Sequence, residues 1–381
     1  MRTPARGPRS SAREMAPVST VDPTRRSDSR EDLPVWALLG PKAGDNEQVI
    51  ALAEALERPY RIVRLRYTGA YRLPNRLLGA TLHSLAAADP DLTPPWPKLV
   101  LAAGRRSVPV ARWIQRVAGH RVRLVQIGRP RAPLGWFDLV LAPPQYHLPA
   151  RRNLVRLPLP LVRAQRADDP HPAWTARIAD LPAPRAAVLI GGDARARDLT
   201  RATVWKTLDA AAERVGHGGS LMVTTSPRTE EGRLPDLQTS CATLVYRWHA
   251  QSGRDNPMDA FLDKADRIVV TGDSVSMLAR AVATGKPVTV VPVPRRAPYS
   301  SRAGAGLDLL RLWQRGLANA PLLTPPPDPD AVFEALVADG RAAWTEGLLD
   351  LPGRPGVNSA LIAPVCARIL SLIDGNGAGG A

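Results

Sequence analysis

At 381 residues the chain is long enough for two domains of ordinary size, each burying its own core. Its net charge of +16 is carried almost entirely by Arg beside abundant Ala and Pro, as in a GC-rich genome. With aromatics at 5% and no RNA- or DNA-binding motif, the charge does not point to nucleic acid, and no nucleic-acid partner is expected.

Cys241 and Cys366 are too few for a disulfide framework and lack metal spacing, which fits a reducing cytoplasm. No apolar run approaches a membrane span and no signal peptide is visible. Residues 1–33 are rich in Arg, Ser and Pro without apolar periodicity and read as a disordered tail. The Asp and Glu among them count against a transit peptide.

A first strand is predicted at Val35–Leu39, followed by a glycine-containing loop, Gly40-Pro41-Lys42-Ala43-Gly44-Asp45-Asn46-Glu47-Gln48. Asp45 with Gln48 three residues on reads as a capping box for a helix whose apolar face is Val49, Leu52, Ala53 and Leu56. The loop is not a GxGxxG, so a nicotinamide cofactor is not indicated. Further strands are predicted at Arg61–Arg66, Lys98–Ala102, Val122–Ile127 and Asp138–Leu141. Two end in basic turns, Gly104-Arg105-Arg106-Ser107 and Gln126-Ile127-Gly128-Arg129-Pro130. In open α/β sheets the ligand crevice lies beyond the carboxyl ends of the strands, so Gly44, Asn46, Arg105 and Arg106 are expected to form an anion cleft. Solvated arginines in an Arg-rich chain are the equally weighted alternative.

Residues 150–185 read as a linker-like passage. A second alternating series follows, with strands at Ala186–Ile190, Ser220–Thr224 and Thr243–Arg247. Their turns are Gly191-Gly192-Asp193, Thr225-Ser226-Pro227-Arg228-Thr229 and Asp255-Asn256-Pro257, the last before a short helix at Met258–Leu262. The stretch Asp266–Pro294 then reads strand, tight turn, helix, glycine, strand. Arg267–Thr271 and Val288–Val291 are buried strands, and Val275, Leu278, Ala279 and Val282 mark the face of the crossover helix. Gly272 is expected to turn the chain, Asp273 or Ser274 to cap the helix, and Gly285 to end it. The start of that helix, beside the hydroxyls of Thr271, Ser274 and Ser276, can hold a phosphate on free N–H groups. Helices near Ala331–Val337 and Ser359–Ile373 close the chain. The expected organisation is a tail at 1–33, a Rossmann-like domain at 34–160, and a linker at 161–185. A second Rossmann-like domain at 186–325 follows, then C-terminal helices returning to the first domain, with a short disordered tail, at 326–381.

The run Asn256-Pro257, Ala265-Asp266, Thr271-Gly272-Asp273-Ser274-Val275-Ser276-Met277 and Thr284-Gly285-Lys286-Pro287 resembles the mitochondrial-fission "elongated mitochondria" family. Gly44–Gln48, Gly104-Arg105-Arg106 and Ser226-Pro227-Arg228-Thr229 add to the resemblance, which spans residues 35 to about 320. That family resembles a branch of the GT-B glycosyltransferases, which implies an α/β fold of two Rossmann-like domains facing a central cleft. The second domain would hold a nucleotide-sugar donor and the first an acceptor. The resemblance implies no bound metal and no permanent cofactor. Plant members of the family are mitochondrial-surface adaptors. The chain departs from the family where Ala279-Arg280-Ala281 replaces Ser-Glu-Ala, where Pro227 replaces an Arg, and where Pro144-Gln145-Tyr146-His147 lacks a carboxylate. An Arg cannot accept from ribose hydroxyls, so Arg280 is expected to meet a phosphate or to face solvent.

Three functions follow as expectations. The first is a metal-independent glycosyltransferase. Gly191, Gly192, Asp193, Ser226, Arg228, Thr229, Asn256, Thr271, Gly272, Asp273, Ser274, Ser276 and Met277 would hold the donor, and Asp45, or second His147, would serve as base. Its acceptor is unknown, with a lipid-linked or cell-envelope glycan as the expectation, in a cytoplasmic protein of bacterial type that can sit peripherally on an inner membrane. The alternative is a non-catalytic adaptor or binding protein on the same scaffold. A nucleotide-sugar epimerase ranks third.

Overall fold

The computed structural model describes residues 35–86, 92–163, 172–194, 197–237, 241–249, 255–295, 328–345 and 357–374. The tails expected at 1–33 and at the far C-terminus lie outside them. The first sheet is built from β1 (Val35–Leu39), β2 (Tyr60–Arg64), β3 (Leu99–Ala103), β4 (Arg123–Ile127), β5 (Leu139–Ala142) and β6 (Leu154–Arg156). All its pairings are parallel and the order is β2-β1-β3-β4-β5-β6.

Period-two alternation divides its strand residues between two cores. Val35, Ala37, Leu39, Leu99, Leu101, Val125 and Ile127 face one side, with α1 (Ala43–Ala55). Trp36, Leu38, Val63, Val100, Ala102 and Leu124 face the other, with α3 (Val108–Val117). Both faces are apolar because parallel strands need crossover helices on each side. The short α2 (Asn75–Leu78) precedes β3.

The second sheet contains β7 (Arg185–Ile190), β8 (Ser220–Thr225), β9 (Ala242–Tyr246), β10 (Arg267–Thr271), β11 (Val288–Val291) and β12 (Ala343–Trp344), again all parallel. Its order, β12-β11-β10-β7-β8-β9, is the Rossmann order 3-2-1-4-5-6 read from the other edge. Helix α5 (Arg201–Val215) covers Ala186, Val188, Ile190, Leu221 and Val223. The opposite face, with Ala187, Leu189, Met222, Ile268 and Val270, is covered by α4 (Pro172–Ala179), α6 (Met258–Lys264), α7 (Val275–Ala283) and α8 (Asp330–Ala338). Two doubly wound sheets in one chain make the GT-B-like α/β plan.

Strands β1, β10 and β11 have the predicted bounds, and the others shift by one or two residues. The passage 150–185 is more structured than its composition suggests. It contains β6 and α4, whose Trp174 ring stands edge-on to Tyr246 and Phe261, each 5.7 Å away. Strands of two or three residues, such as β12 and β6, have no period to read.

The last helix, α9 (Val357–Asp374), packs on α1 and β4. Ile369 is fully buried in the first-sheet core, and Arg123 Nε donates to Leu372 O at 3.2 Å. Truncating Ile369 to Ala leaves a hole between α9 and the sheet. We expect a loss of about 3 kcal/mol in urea unfolding, with new proteolytic cleavage near α9. An unchanged urea midpoint would mean α9 adds nothing to the fold.

Candidate functional site

Each sheet has one point where successive crossovers leave in opposite directions, and there the loops part and leave a crevice. In the first sheet this lies between β1 and β3. A cavity of about 280 Å³ occupies it, lined by residues from the β1–α1, β3–α3, β4 and β5 loops.

Gly40 ends β1, and its backbone is clamped by Asn46. Gly40 N–H donates to Asn46 Oδ1 at 2.9 Å, and Asn46 Nδ2 donates back to Gly40 O at 2.7 Å. Asn46 therefore fixes the loop rather than standing free for a ligand. Gly104 ends β3 with φ of 68°, and a Cβ there would stand 2.8 Å from Asp45 Oδ2. Only glycine tolerates both the dihedral and the approach.

The capping-box reading of Asp45 is corrected. Helix α1 begins at Ala43 with Lys42 as N-cap and no side-chain cap, and Gln48 Nε2 donates to Gly44 O at 3.2 Å. Asp45 instead lines the cavity, 3.9 Å from Lys42 Nζ, with a third of its side chain exposed. Burial raises its pKa above the usual carboxylate range, and Lys42 and Arg106 partly offset this. Gly44 is exposed and has open space where a Cβ would stand.

Arg105 and Arg106 line the same cavity with Lys42, Arg129 and Arg131. Arg105 Nη2 donates to Tyr71 O at 2.9 Å, and the Arg106 guanidinium lies 4.1 Å from the Tyr71 ring centre. Arg129 donates to Tyr146 O. Tyr67 and Tyr146 are pushed above the ordinary phenol value by burial, with Asp45 adding to the shift, so both remain neutral hydrogen donors. The sequence reading missed Tyr67 and Tyr71. Their one signal is their position just past β2, at the carboxyl end of a strand. His147 is not among the lining residues. It sits at φ of 46° with Nε2 3.6 Å from Asp328 Oδ2, and Asp328 N–H donates to Gln145 O at 2.9 Å.

In the second sheet the corresponding point lies between β7 and β10, and the two turns are stitched together. Thr271 Oγ1 accepts from Gly191 N–H at 2.8 Å and donates to Asp273 Oδ1 at 2.6 Å. Gly192 N–H donates to Asp273 Oδ2 at 2.8 Å. The helix-cap reading of Asp273 and Ser274 is therefore corrected. Ser274 is the N-cap of α7 but accepts no capping bond, and Asp273 turns to the neighbouring strand's turn. Inside the protein the Gly192 N–H and the Thr271 hydroxyl hold a buried carboxylate more strongly than a solvated helix end does. Gly272 owes its place to crowding, since a Cβ would stand 3.1 Å from Val291 O. Gly285, at φ of 77°, ends α7 as expected.

Arg228 joins this cluster. Its guanidinium lies 3.2 Å from Asp273 Oδ2 and donates to Asp193 O at 3.3 Å, while 42% of its side chain stays exposed. Asp273 has no exposed side chain, and burial raises its pKa against its hydrogen bonds and Arg228. Thr229 Oγ1 donates to Gly191 O and accepts from Ser226 N–H at 2.9 Å. Asp193 Oδ1 accepts from Leu199 N–H at 3.0 Å. Ser226 and Ser274 are buried and Ser276 is exposed, with 3.4 Å between the Ser274 and Ser276 hydroxyls.

Met277 belongs to the second-sheet core, and Asn256 Oδ1 accepts from Met258 N–H at 3.0 Å at the start of α6. Arg280, expected to meet a phosphate or to face solvent, keeps 27% of its side chain exposed. It pairs with Asp259 on α6. The structure thus brings Gly191, Gly192, Ser226, Arg228, Thr229, Thr271 and Asp273 into one cluster and leaves Met277 and Asn256 to packing and turn roles.

The family described as mitochondrial fission ELM1 matches residues 43–319. Mitochondrial fission protein ELM1 of Arabidopsis thaliana is 30% identical over 222 residues, covering 51% of this chain and 51% of that protein. An uncharacterized protein of Rickettsia prowazekii, RP120, is 30% identical over 115 residues, covering 30% of this chain and 32% of its own. The chain thus spans about half or less of the length of the curated relatives it matches. Among solved structures, the glycosyltransferase SnogD of Streptomyces nogalater matches with TM-score 0.44 and 16% identity, covering 90% of this chain and all (100%) of its own. A UDP-N-acetylglucosamine 2-epimerase of Rickettsia bellii matches with TM-score 0.40 and 13% identity, covering 90% and 96%. At these TM-scores the structural likenesses carry no argument about chemistry. The family match covers well over half of the chain, from the helix beside the first crevice to beyond the second, and the chain belongs to the mitochondrial fission ELM1 family.

Proposed function

We propose that the chain transfers a sugar from a nucleotide-diphosphate donor at the second crevice to a hydroxyl of an acceptor in the first. The observation that carries this reading is the desolvated Asp45 carboxylate on the wall of the first-sheet cavity. A carboxylate raised toward neutrality accepts a proton better than an ordinary one, which is what an inverting base requires. In the step, the acceptor O–H gives its proton to Asp45 and the oxygen bonds to the sugar C1. The C1–O bond to the diphosphate breaks, and the leaving diphosphate keeps the electron pair. Arg228, with its open guanidinium face, and the first-turn amides of α7 would carry that charge. The leaving group is thereby held by side chain and backbone, with no metal or permanent cofactor required in the scheme.

A second reading, a binding protein on the same scaffold, is favoured by one specific observation. The Gly191 and Gly192 amides, which could have cradled a phosphate, are already taken, the first by Thr271 Oγ1 and the second by Asp273. A thermal-shift panel of UDP, GDP, CDP, dTDP and their common sugars distinguishes the two. A donor at a hundredfold its Kd adds about 2.7 kcal/mol. We expect one nucleotide class to raise Tm and Arg228→Ala to abolish the shift. Silence across the panel would turn the assignment to the binding protein.

A further inference from the structure

The first-sheet cavity holds more positive charge than its own carboxylate can balance. Lys42, Arg105, Arg106, Arg129 and Arg131 line it, and among the described residues Asp45 is its one acidic lining residue. Lys42 lies beside Asp45 at 3.9 Å. Among the described residues no ion pair is formed by Arg105, Arg106 or Arg131. Burial, and then the charges of Arg131 and Arg106, lower the hold of Arg105 on its proton. Like charges gathered at a half-buried crevice repel one another, and an arrangement that keeps them there suits an anion that neutralises them.

The backbone points the same way. The α1 N-terminus, through Lys42 and Asp45, and the loop leading into α3, through Gly104 to Arg106, both border the cavity. First-turn amides of helices without side-chain caps add partial positive charge. Asn75, buried in the segment before β3, pins this rim by donating to Arg105 O at 2.9 Å and Pro130 O at 2.8 Å. The cations are thus held on a fixed frame rather than swinging in solvent.

We infer that this cavity is a binding site for a phosphate ester, held by Arg105, Arg106 and Arg131 beside Asp45. As the acceptor site it rests on the transfer reading above, and the acceptor is then a phosphorylated molecule with a hydroxyl at Asp45. As a binding site it stands without that reading. Planar guanidinium groups match the oxygens of a phosphate in pairs, and the neutral phenols of Tyr67 and Tyr146 donate without adding charge. The ester can be free or a lipid headgroup. Leu73 and Leu77, 47% and 76% exposed on the rim segment, give a lipid chain somewhere to lie.

Calorimetric titration of the full chain with inorganic phosphate, glycerol 3-phosphate and glycerol reads the free source. Flotation with phosphatidic acid vesicles against phosphatidylcholine vesicles reads the lipid source. We expect saturable binding of the phosphates and none of glycerol. Arg106→Gln and Arg131→Gln should each weaken binding about tenfold or more. Both should leave the urea midpoint unchanged or higher, because repulsion among the arginines is relieved. Flotation with phosphatidic acid that is lost in Leu73→Ser/Leu77→Ser identifies the lipid as the source, and titration alone identifies the free ester. Absence of both kinds of binding at millimolar phosphate overturns the inference. So does binding undiminished in both Arg106→Gln and Arg131→Gln, which would be generic attraction to a basic surface. If phosphate binds here while the nucleotide panel is silent, the transfer reading fails and this one stands.

Discussion

Gly192→Ala is expected to cost about 3 kcal/mol or more in urea unfolding, a large effect for one methyl group. A Cβ on Gly192 would stand 2.1 Å from both the carbonyl carbon and oxygen of Arg228 and 2.6 Å from Thr229 N. All three are backbone atoms, so no side chain can swing aside. Nor can the turns separate freely. Thr229 Oγ1 holds Gly191 O, Ser226 N–H holds Thr229 Oγ1, and Gly192 N–H is bound to Asp273. Moving either turn strands a buried carboxylate and two amides. Gly218→Ala is the control, since nothing lies within 4 Å of its Cβ position and its change should stay within about 0.5 kcal/mol. Equal midpoints for the two variants would show that the turns are not packed as described.

Asp45→Asn should lower turnover by about 10²- to 10⁴-fold while leaving the fold intact. Its pH signature separates a base from a structural carboxylate. Burial raises the Asp45 pKa in the folded protein, so the folded state holds this proton more tightly than the unfolded chain does. Stability therefore falls as pH rises from the ordinary carboxylate range through the raised value, and no further fall follows above it. The Asn variant lacks this slope and should melt at the same or a higher temperature at neutral pH. In the unsubstituted protein the rate should climb over the same interval, as the carboxylate becomes able to accept a proton. A variant that loses stability at neutral pH, or keeps its turnover, would remove Asp45 from the role of base.

Much of the fold was legible because buried parallel strands are apolar on both faces. Val35–Leu39, Arg267–Thr271 and Val288–Val291 stand out as runs between turn residues, and their bounds match the structure. β6 and β12 did not, because three and two residues carry no period. The site was legible as a set of turns and not as a set of partners. Asp45 and Asp273 are residue types that cap helices, and both lie at helix starts. Neither caps: Asp45 lies inside the first turn of α1 and lines the cavity beside Gly104, and Asp273 takes the Gly192 N–H at the end of a neighbouring strand.

Arg280 makes the same point. Its departure from the family pattern was visible, but its pairing with Asp259 was not, since α6 and α7 meet only after β10 has joined its sheet. Tyr67 and Tyr71 reach the cavity because β2 pairs with β1, and strand order is not written in any local pattern. The sequence by itself determined an alternating α/β chain, its strand-to-helix turns, its basic charge and its family. Strand order decided the rest, because parallel pairing brings turns from distant parts of the chain to one edge. It set which turns meet, which carboxylate is desolvated over the cavity and which is consumed in holding two strands together.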